Sequence, residues 1–379
     1  MGFLNRKDAL FIGLLAALVL VVLPMALEPF RLNLVGKYLT YGFVALGLVL
    51  CWGDAGILSL GQGVFFGLGG YCMAMFLKLE ASTPEATKIQ STPGIPDFMD
   101  WNQITELPLF WRPFHSLGLT LFAIPLVPAL LALVVGFAMF KRRVGGTYFA
   151  IITQAMAAIL TILIIGQQGY TGGVNGITDL RTLNGWNIRT DGARIVLYLV
   201  NGGLLIACLL LGQYVRRSKL GRILVAMRDK EDRVRFSGYA VADFKIFVFC
   251  FAAALAGIGG AMFTLQVGFM SPSFVGIVPS IEMVIFCAVG GRTSLLGAVY
   301  GALAVNWART TLSEAFPELW LLALGSLFIL VVVAFPDGLA GVYRKTFDPA
   351  LDRLLPWLRR RPSVHGPAVL PGDPVASTE

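Results

Sequence analysis

Arg216-Arg217-Ser218-Lys219-Leu220-Gly221-Arg222 and Met227-Arg228-Asp229-Lys230-Glu231-Asp232-Arg233-Val234-Arg235-Phe236-Ser237-Gly238-Tyr239 form a polar island in an otherwise apolar chain. The island runs from Arg216 to Asp243, and long apolar segments flank it on both sides. Leu220, Ile223, Leu224 and Met227 recur at helical spacing, with Arg222, Arg228, Lys230 and Glu231 on other faces. The pattern predicts a short helix along a membrane surface, its apolar side toward a helix bundle. A helix that met only lipid would not need the mixed charges of Arg228–Arg235. A docking surface for a separate partner explains them.

Composition supports the membrane reading. The chain has 379 residues, 56% hydrophobic and 14% charged, where soluble domains carry about 25% charged residues. Several apolar runs reach about 20 residues, enough to cross roughly 30 Å of hydrocarbon. No room is left for a large soluble enzyme domain. The net charge of +8 comes without a basic patch interleaved with aromatics, so nucleic acid is not an expected partner. Cys51, Cys72, Cys208, Cys250 and Cys287 lie in apolar runs without a CxxC pair, and read as buried thiols. His115 and His365 are far apart, and no metal site is expected.

The expected fold is all-α, a polytopic bundle of about ten transmembrane helices. The spans are Ala9–Leu27, Val35–Trp52, Leu58–Leu79, Leu117–Phe140, Thr147–Gly166, Ile195–Val215, Phe244–Val267, Pro279–Gly290, Leu295–Leu312 and Leu319–Phe335. The first is too long for a signal-peptide core and lacks a small-residue cleavage site, so it reads as an uncleaved span. The eighth is too short to cross alone and reads as a broken or re-entrant helix. Alternating spans put Arg6, Lys7, Lys141-Arg142-Arg143, the island, Arg292 and the tail on one side. That side then holds most of the Lys and Arg while acidic residues divide evenly, as positive-inside sorting requires. Both termini are therefore expected in the cytoplasm. Residues 1–345 form the membrane domain, with 80–116 as a Pro-rich outer loop and 216–243 as the coupling region. Residues 346–379 read as a disordered tail. Its Arg359-Arg360-Arg361 suits an anionic leaflet better than a specific site.

Three stretches carry candidate site residues. Leu58-Ser59-Leu60-Gly61-Gln62-Gly63 opens the third span, where Gly61, Gly63, Gly67, Gly69 and Gly70 are crowded together. Such glycines serve close helix packing or line a path with exposed backbone, and the two can coexist. Gln62 offers donors and an acceptor without charge. Thr171-Gly172-Gly173-Val174-Asn175-Gly176 has no P-loop pattern and reads as a structured outer loop near an entrance. Glu282 lies close to hydrocarbon, where a carboxylate is costly and by default functional; Arg292 and Arg309 are its candidate partners. The competing reading is a helix-start carboxylate behind Pro279.

The order Leu-Ser-Leu-Gly-Gln-Gly, Thr-Gly-Gly-Val-Asn-Gly-Ile-Thr, Lys-Leu-Gly-Arg…Met-Arg-Asp, Ala-Gly-Ile-Gly-Gly and Ala-Val-Gly-Gly-Arg resembles the inner-membrane permeases of branched-chain amino acid type ABC importers. The resemblance covers about Ala9 to Arg344. Within that family the chain is most similar to the urea-type permeases. Amino-acid permeases usually carry His where this chain has Gln62, and Arg233–Tyr239, Pro279–Met283 and Asn306–Glu318 read as urea-type features. The resemblance implies a type II importer-like permease in a bacterial inner membrane. A second, homologous permease would complete a heterodimer. Two cytoplasmic ATPases would supply ATP-Mg hydrolysis, and a periplasmic binding protein would deliver cargo. This chain would bind no cofactor. Leu220, Gly221, Met227, Arg228, Asp229, Glu231, Arg235 and Gly238 are the expected coupling residues, and Ser59, Gln62, Thr171, Asn175 and Glu282 the expected path residues. The expected function is urea import. A branched-chain amino acid or short-amide importer is the nearest alternative, and an autonomous channel or ion-coupled transporter the alternative from another class. The absence of paired His or a carboxylate cluster argues against an enzyme.

Overall fold

The computed structural model describes residues 6–315 together with 322, 325, 326, 329, 330 and 338–341. Seven helices in this part are long and apolar enough to cross a membrane: α1 (Lys7–Ala26), α2 (Pro29–Asp54), α3 (Gln62–Ala81), α4 (Leu117–Phe140), α5 (Gly146–Gly166), α6 (Asp191–Arg217) and, after α7 (Lys219–Phe236), α8 (Val241–Val267). They answer to the first seven expected spans. Next come α9 (Ile277–Gly290) and α10 (Leu295–Ala315). The tenth expected span falls mostly outside the described residues, and the tail 346–379 wholly so.

The expected start of the third span needs correction. Leu58 to Gly61 are not helical, and α3 begins only at Gln62. At 1.5 Å per residue the 14 residues of α9 reach only about 21 Å, so this crossing is a half-helix preceded by irregular chain with one 3-10 turn, Pro272–Phe274.

The chain's start and the island share one end of the bundle, here the island end. Asp8 near the start of α1 pairs with Arg217 at the end of α6, at 2.6 Å. The opposite end carries the long connections and is the loop end. Central α8 packs against α2, α3 and α4. A Cβ on Gly260 would sit 1.8 Å from the Phe66 carbonyl oxygen, and one on Gly69 would sit 2.1 Å from that of Gly257. Gly69 of the crowded third-span glycines thus serves to bring α3 against α8. Tyr41, Phe66 and Phe263 fill the space beside this contact, with ring centroids 5.4–5.8 Å apart.

The two long connections at the loop end are tied together. Buried Lys78 of α3 donates to Asp97 at 2.8 Å and to the Thr178 carbonyl at 3.2 Å. Glu80 accepts from the backbone of Asn184 and Gly185, between strands β1 (Thr182–Leu183) and β2 (Trp186–Asn187). Trp111 donates to the Tyr170 carbonyl at 2.9 Å. Hydrogen bonds from Arg181, then from Arg189, hold the Asp179 carboxyl below its ordinary range.

Gly260→Leu is expected to destabilise the protein by about 3 kcal/mol or more, since backbone rather than a mobile side chain blocks the new atoms. Thermal unfolding in detergent measures it; an unchanged midpoint would contradict the α3–α8 contact. Lys78→Ala removes the partner of Asp97 and one of the ties between the two connections. It should speed proteolysis within residues 83–116 and leave the island end as resistant as before.

Candidate functional site

Two breaks meet inside the bundle. The first follows α2, which closes on a π-helical turn, Val49–Asp54. Non-helical chain then runs inward to Gln62. The Leu60 N–H donates to the Thr153 hydroxyl of α5 at 3.0 Å, and the Gly63 N–H donates to the Ser280 hydroxyl of α9 at 3.0 Å. A Cβ on Gly63 would fall 2.6 Å from that hydroxyl and 2.8 Å from the Val275 carbonyl oxygen, so only glycine admits this approach.

The second break lies between α8 and α9. Met270 pairs with Ile177 in an antiparallel bridge, and its sulfur lies against Gly70. Val275 lies against Gly63 and Gly67. The chain from Met270 to Val275 therefore descends along α3 by about 10 Å, the rise of seven helical residues. The first turns of α3 and α9 come together at this depth, and helix N-termini present N–H groups and a positive dipole end.

Ser59 and Gln62 are fully buried here. Neither amide atom of Gln62 has a hydrogen-bond partner among the described residues. Leaving such a group unpaired costs about 1–3 kcal/mol. An amide in this state has two donors and an acceptor free for a small polar molecule.

Thr171 and Asn175 do not join that group. The Thr171 hydroxyl donates to the Ile164 and Gln167 carbonyls and closes the end of α5. Thr153 lies beside Leu60, and α5 runs about 20 Å further, at 1.5 Å per residue, before it ends. Asn175 is exposed on the loop. Its neighbours brace the second break, where Ser271 donates to the Val174 carbonyl at 3.3 Å.

Glu282 is buried on a different face of α9 from Ser280, about 200° around the helix. Its partner is Arg309 of α10; Arg292 instead stacks on Trp52, 5.6 Å from the ring. Glu282 lies beyond the first turn of α9, so the helix-start reading does not apply. Nearby, Tyr38 and Thr310 share a hydrogen bond, and the Lys37 ammonium sits 5.9 Å from the Phe263 ring centre.

The island folds as the apolar spacing predicts, though α7 is longer than a short surface helix and breaks at Lys230 (φ −150°, ψ 82°). Gly221, Leu224 and Met227 are buried, and Leu220 is half-buried. Arg228 reaches back to the Gly53 carbonyl at 2.7 Å. Glu231 accepts from Arg235 at 2.9 Å and from Lys245 at 2.7 Å. Asp229 and Gly238 remain exposed. Sequence reasoning counted Lys230, Asp232 and Arg233 in the mixed-charge cluster but gave no role to Phe236, which is 91% exposed. The signal was there in Phe236, an aromatic inside a charged stretch. Among the described residues no group of His, Cys, Asp and Glu could hold a metal ion.

The family described as branched-chain amino acid transport system / permease component matches residues 30–332. The chain belongs to this family. The permease is 27% identical over 361 residues to the high-affinity branched-chain amino acid transport system permease protein LivM of Salmonella typhimurium, across 89% of this chain and 76% of that protein. LivM of Escherichia coli gives the same figures. BraD of Pseudomonas aeruginosa is 23% identical over 315 residues, across 80% of this chain and 92% of that protein. These relatives are permease components and not enzymes. No solved structure matches the permease.

Arg309→Ala leaves Glu282 buried without its countercharge and should cost about 3 kcal/mol. The double variant Glu282→Gln/Arg309→Gln should recover most of that loss, and a double-mutant cycle on detergent unfolding measures the coupling. Additive losses would show that the pair contributes nothing together.

Proposed function

We propose that this permease is one of two homologous membrane subunits of an ATP-driven importer whose cargo is urea. The buried, unpartnered amide of Gln62 carries the proposal. Beside it lie the Ser59 hydroxyl and the first turns of α3 and α9, all neutral hydrogen-bonding groups. Urea is small, planar and uncharged, with four donor hydrogens and a carbonyl. A path for it needs amide and hydroxyl partners rather than fixed charge. Thr171 and Asn175 then belong to the entrance at the loop end.

In this reading the island end faces the cytoplasm of a bacterial cell, with both chain termini there. Two ATPase subunits dock on the exposed part of α7, with Phe236 as an apolar anchor beside Asp229, Lys230, Asp232 and Arg233. Aromatic anchors of this kind dominate interface energetics. The tied loops at the opposite end receive a periplasmic binding protein. ATP and Mg bind the partner subunits and not this chain.

Branched-chain amino acid cargo is the second reading. The named relatives favour it, and so do Lys37, Glu282 and Arg309, since a zwitterion benefits from charge partners. A channel or ion-coupled carrier has no use for the docking helix.

Reconstituted vesicles holding this permease, its partner permease, ATPases and binding protein test the proposal. ATP-dependent uptake of labelled urea without labelled leucine is expected. Gln62→Leu should lower urea uptake by about tenfold, the loss of one or two hydrogen bonds, with assembly intact. Leucine uptake instead would establish the amino-acid reading, and conduction by this chain alone would establish the channel.

A further inference from the structure

At the island end of α2 a knot of polar contacts around buried Asp54 joins four parts of the chain. Asp54, the last residue of the π-helical turn, is 2% exposed. Arg216 from the end of α6 pairs with it at 2.8 Å and also donates to the Thr293 carbonyl, in the connection between α9 and α10, at 3.0 Å. Arg228 from the middle of α7 donates to the Gly53 carbonyl at 2.7 Å, and its side-chain stem lies against Gly56. A Cβ on Gly53 would lie 1.8 Å from the Arg292 carbonyl oxygen, so α2 and the α9–α10 connection touch backbone to backbone. Arg292 completes the contact by covering Trp52.

Each strand of the knot leads to the candidate path. Gly53 and Asp54 precede the non-helical segment that ends at Gln62. Thr293 follows α9, whose first turn carries Ser280 against Gly63. π-Helical turns are marginal and recur where helices must yield. Arg228, nominated from sequence as a surface that meets a partner, is exposed and pairs with Asp229 at 2.9 Å, yet one of its N–H groups reaches inward to Gly53.

We infer that this knot is the joint through which displacement of α7 moves both breaks together, and that Arg228 is a positioning residue acting on Gly53 rather than a docking residue. The inference rests on the importer reading above. A shift of α7 pulls on the Gly53 carbonyl through Arg228. The Asp54–Arg216 pair keeps α2 and the α9–α10 connection in step. Docking then belongs to the exposed residues around Phe236, and transmission to the bonds that Arg228 and Arg216 make to Gly53, Asp54 and Thr293.

The complete reconstituted transporter separates the two roles through three variants, Arg228→Met, Arg228→Lys and Phe236→Ala. Retention of the ATPases, ATP hydrolysis and uptake of labelled urea and leucine are read for each. Arg228→Met should keep its ATPases and most of its hydrolysis while uptake falls by about tenfold, a size that coupling residues command. Arg228→Lys keeps a cation able to reach Gly53 and should restore most uptake. Phe236→Ala should lose ATPases and lower hydrolysis and uptake in proportion. Loss of ATPases from Arg228→Met would make Arg228 a docking residue and overturn the joint. ATP-driven uptake unchanged in Arg228→Met would overturn the joint alone. Wild-type uptake that needs no ATP would overturn both the importer reading and the joint.

Discussion

Hydrocarbon offers backbone no hydrogen-bond partners, and the rest of this structure follows from that. Non-helical chain at membrane depth persists only where protein satisfies it. Two such segments occur here, and each is tied by named bonds. Leu60 and Gly63 borrow the hydroxyls of Thr153 and Ser280. Met270 borrows the backbone of Ile177. Because the first break leans on α9 and α5, and the second on α3 and the outer loop, neither can move far alone. A bundle built this way has its weakest helix continuity at the place where its polar groups converge.

Charge follows the same economy. Carboxylates buried in the spans are matched by arginines from other elements: Glu282 by Arg309 and Asp54 by Arg216. An ion pair of this kind adds little net stability, because desolvation offsets most of the attraction. What it adds is specification, since a register slip would strand a charge. Through Glu282 and through the bond from Arg216 to Thr293, these groups bind α9 and its following connection to the rest of the bundle.

The helices were legible because their signal is local. Runs of apolar residues about 20 long have one physical interpretation, and the seven long spans appear where expected. The shortness of α9 was also legible, from Pro279 and the glycines after Val289. The late start of α3 was not, since Leu58 to Gly61 are as apolar as the helix they precede, and only the contacts with Thr153 and Ser280 reveal them. Apolar spacing placed Leu224 and Met227 inward. Nothing local tells that exposed Arg228 also bonds inward: an arginine reads as surface alone until a carbonyl such as Gly53 is found within its reach. The partner of Glu282 was narrowed to two arginines, and three-dimensional packing chose between them. Thr171 and Asn175, read as an outer loop near an entrance, were placed with Gln62 among the path residues, and the sequence does not show that the length of α5 keeps them apart.

Cargo chemistry turns on a geometrical fact. Gln62 and Glu282 lie near the same half-helix, yet Ser280 and Glu282 occupy different faces of it. Ser280 looks to α3 and the neutral group around Gln62; Glu282 looks to α10 and the charges around Lys37. A single small solute cannot be held by both faces unless α9 rotates. If the Gln62 face lines the path, charge is spent on architecture and the cargo is neutral. If the Glu282 face lines it, the ion pair must open at each passage, and a zwitterion is the kind of solute able to replace both partners. Glu282 already has its countercharge, while the Gln62 amide still lacks a partner among the described residues.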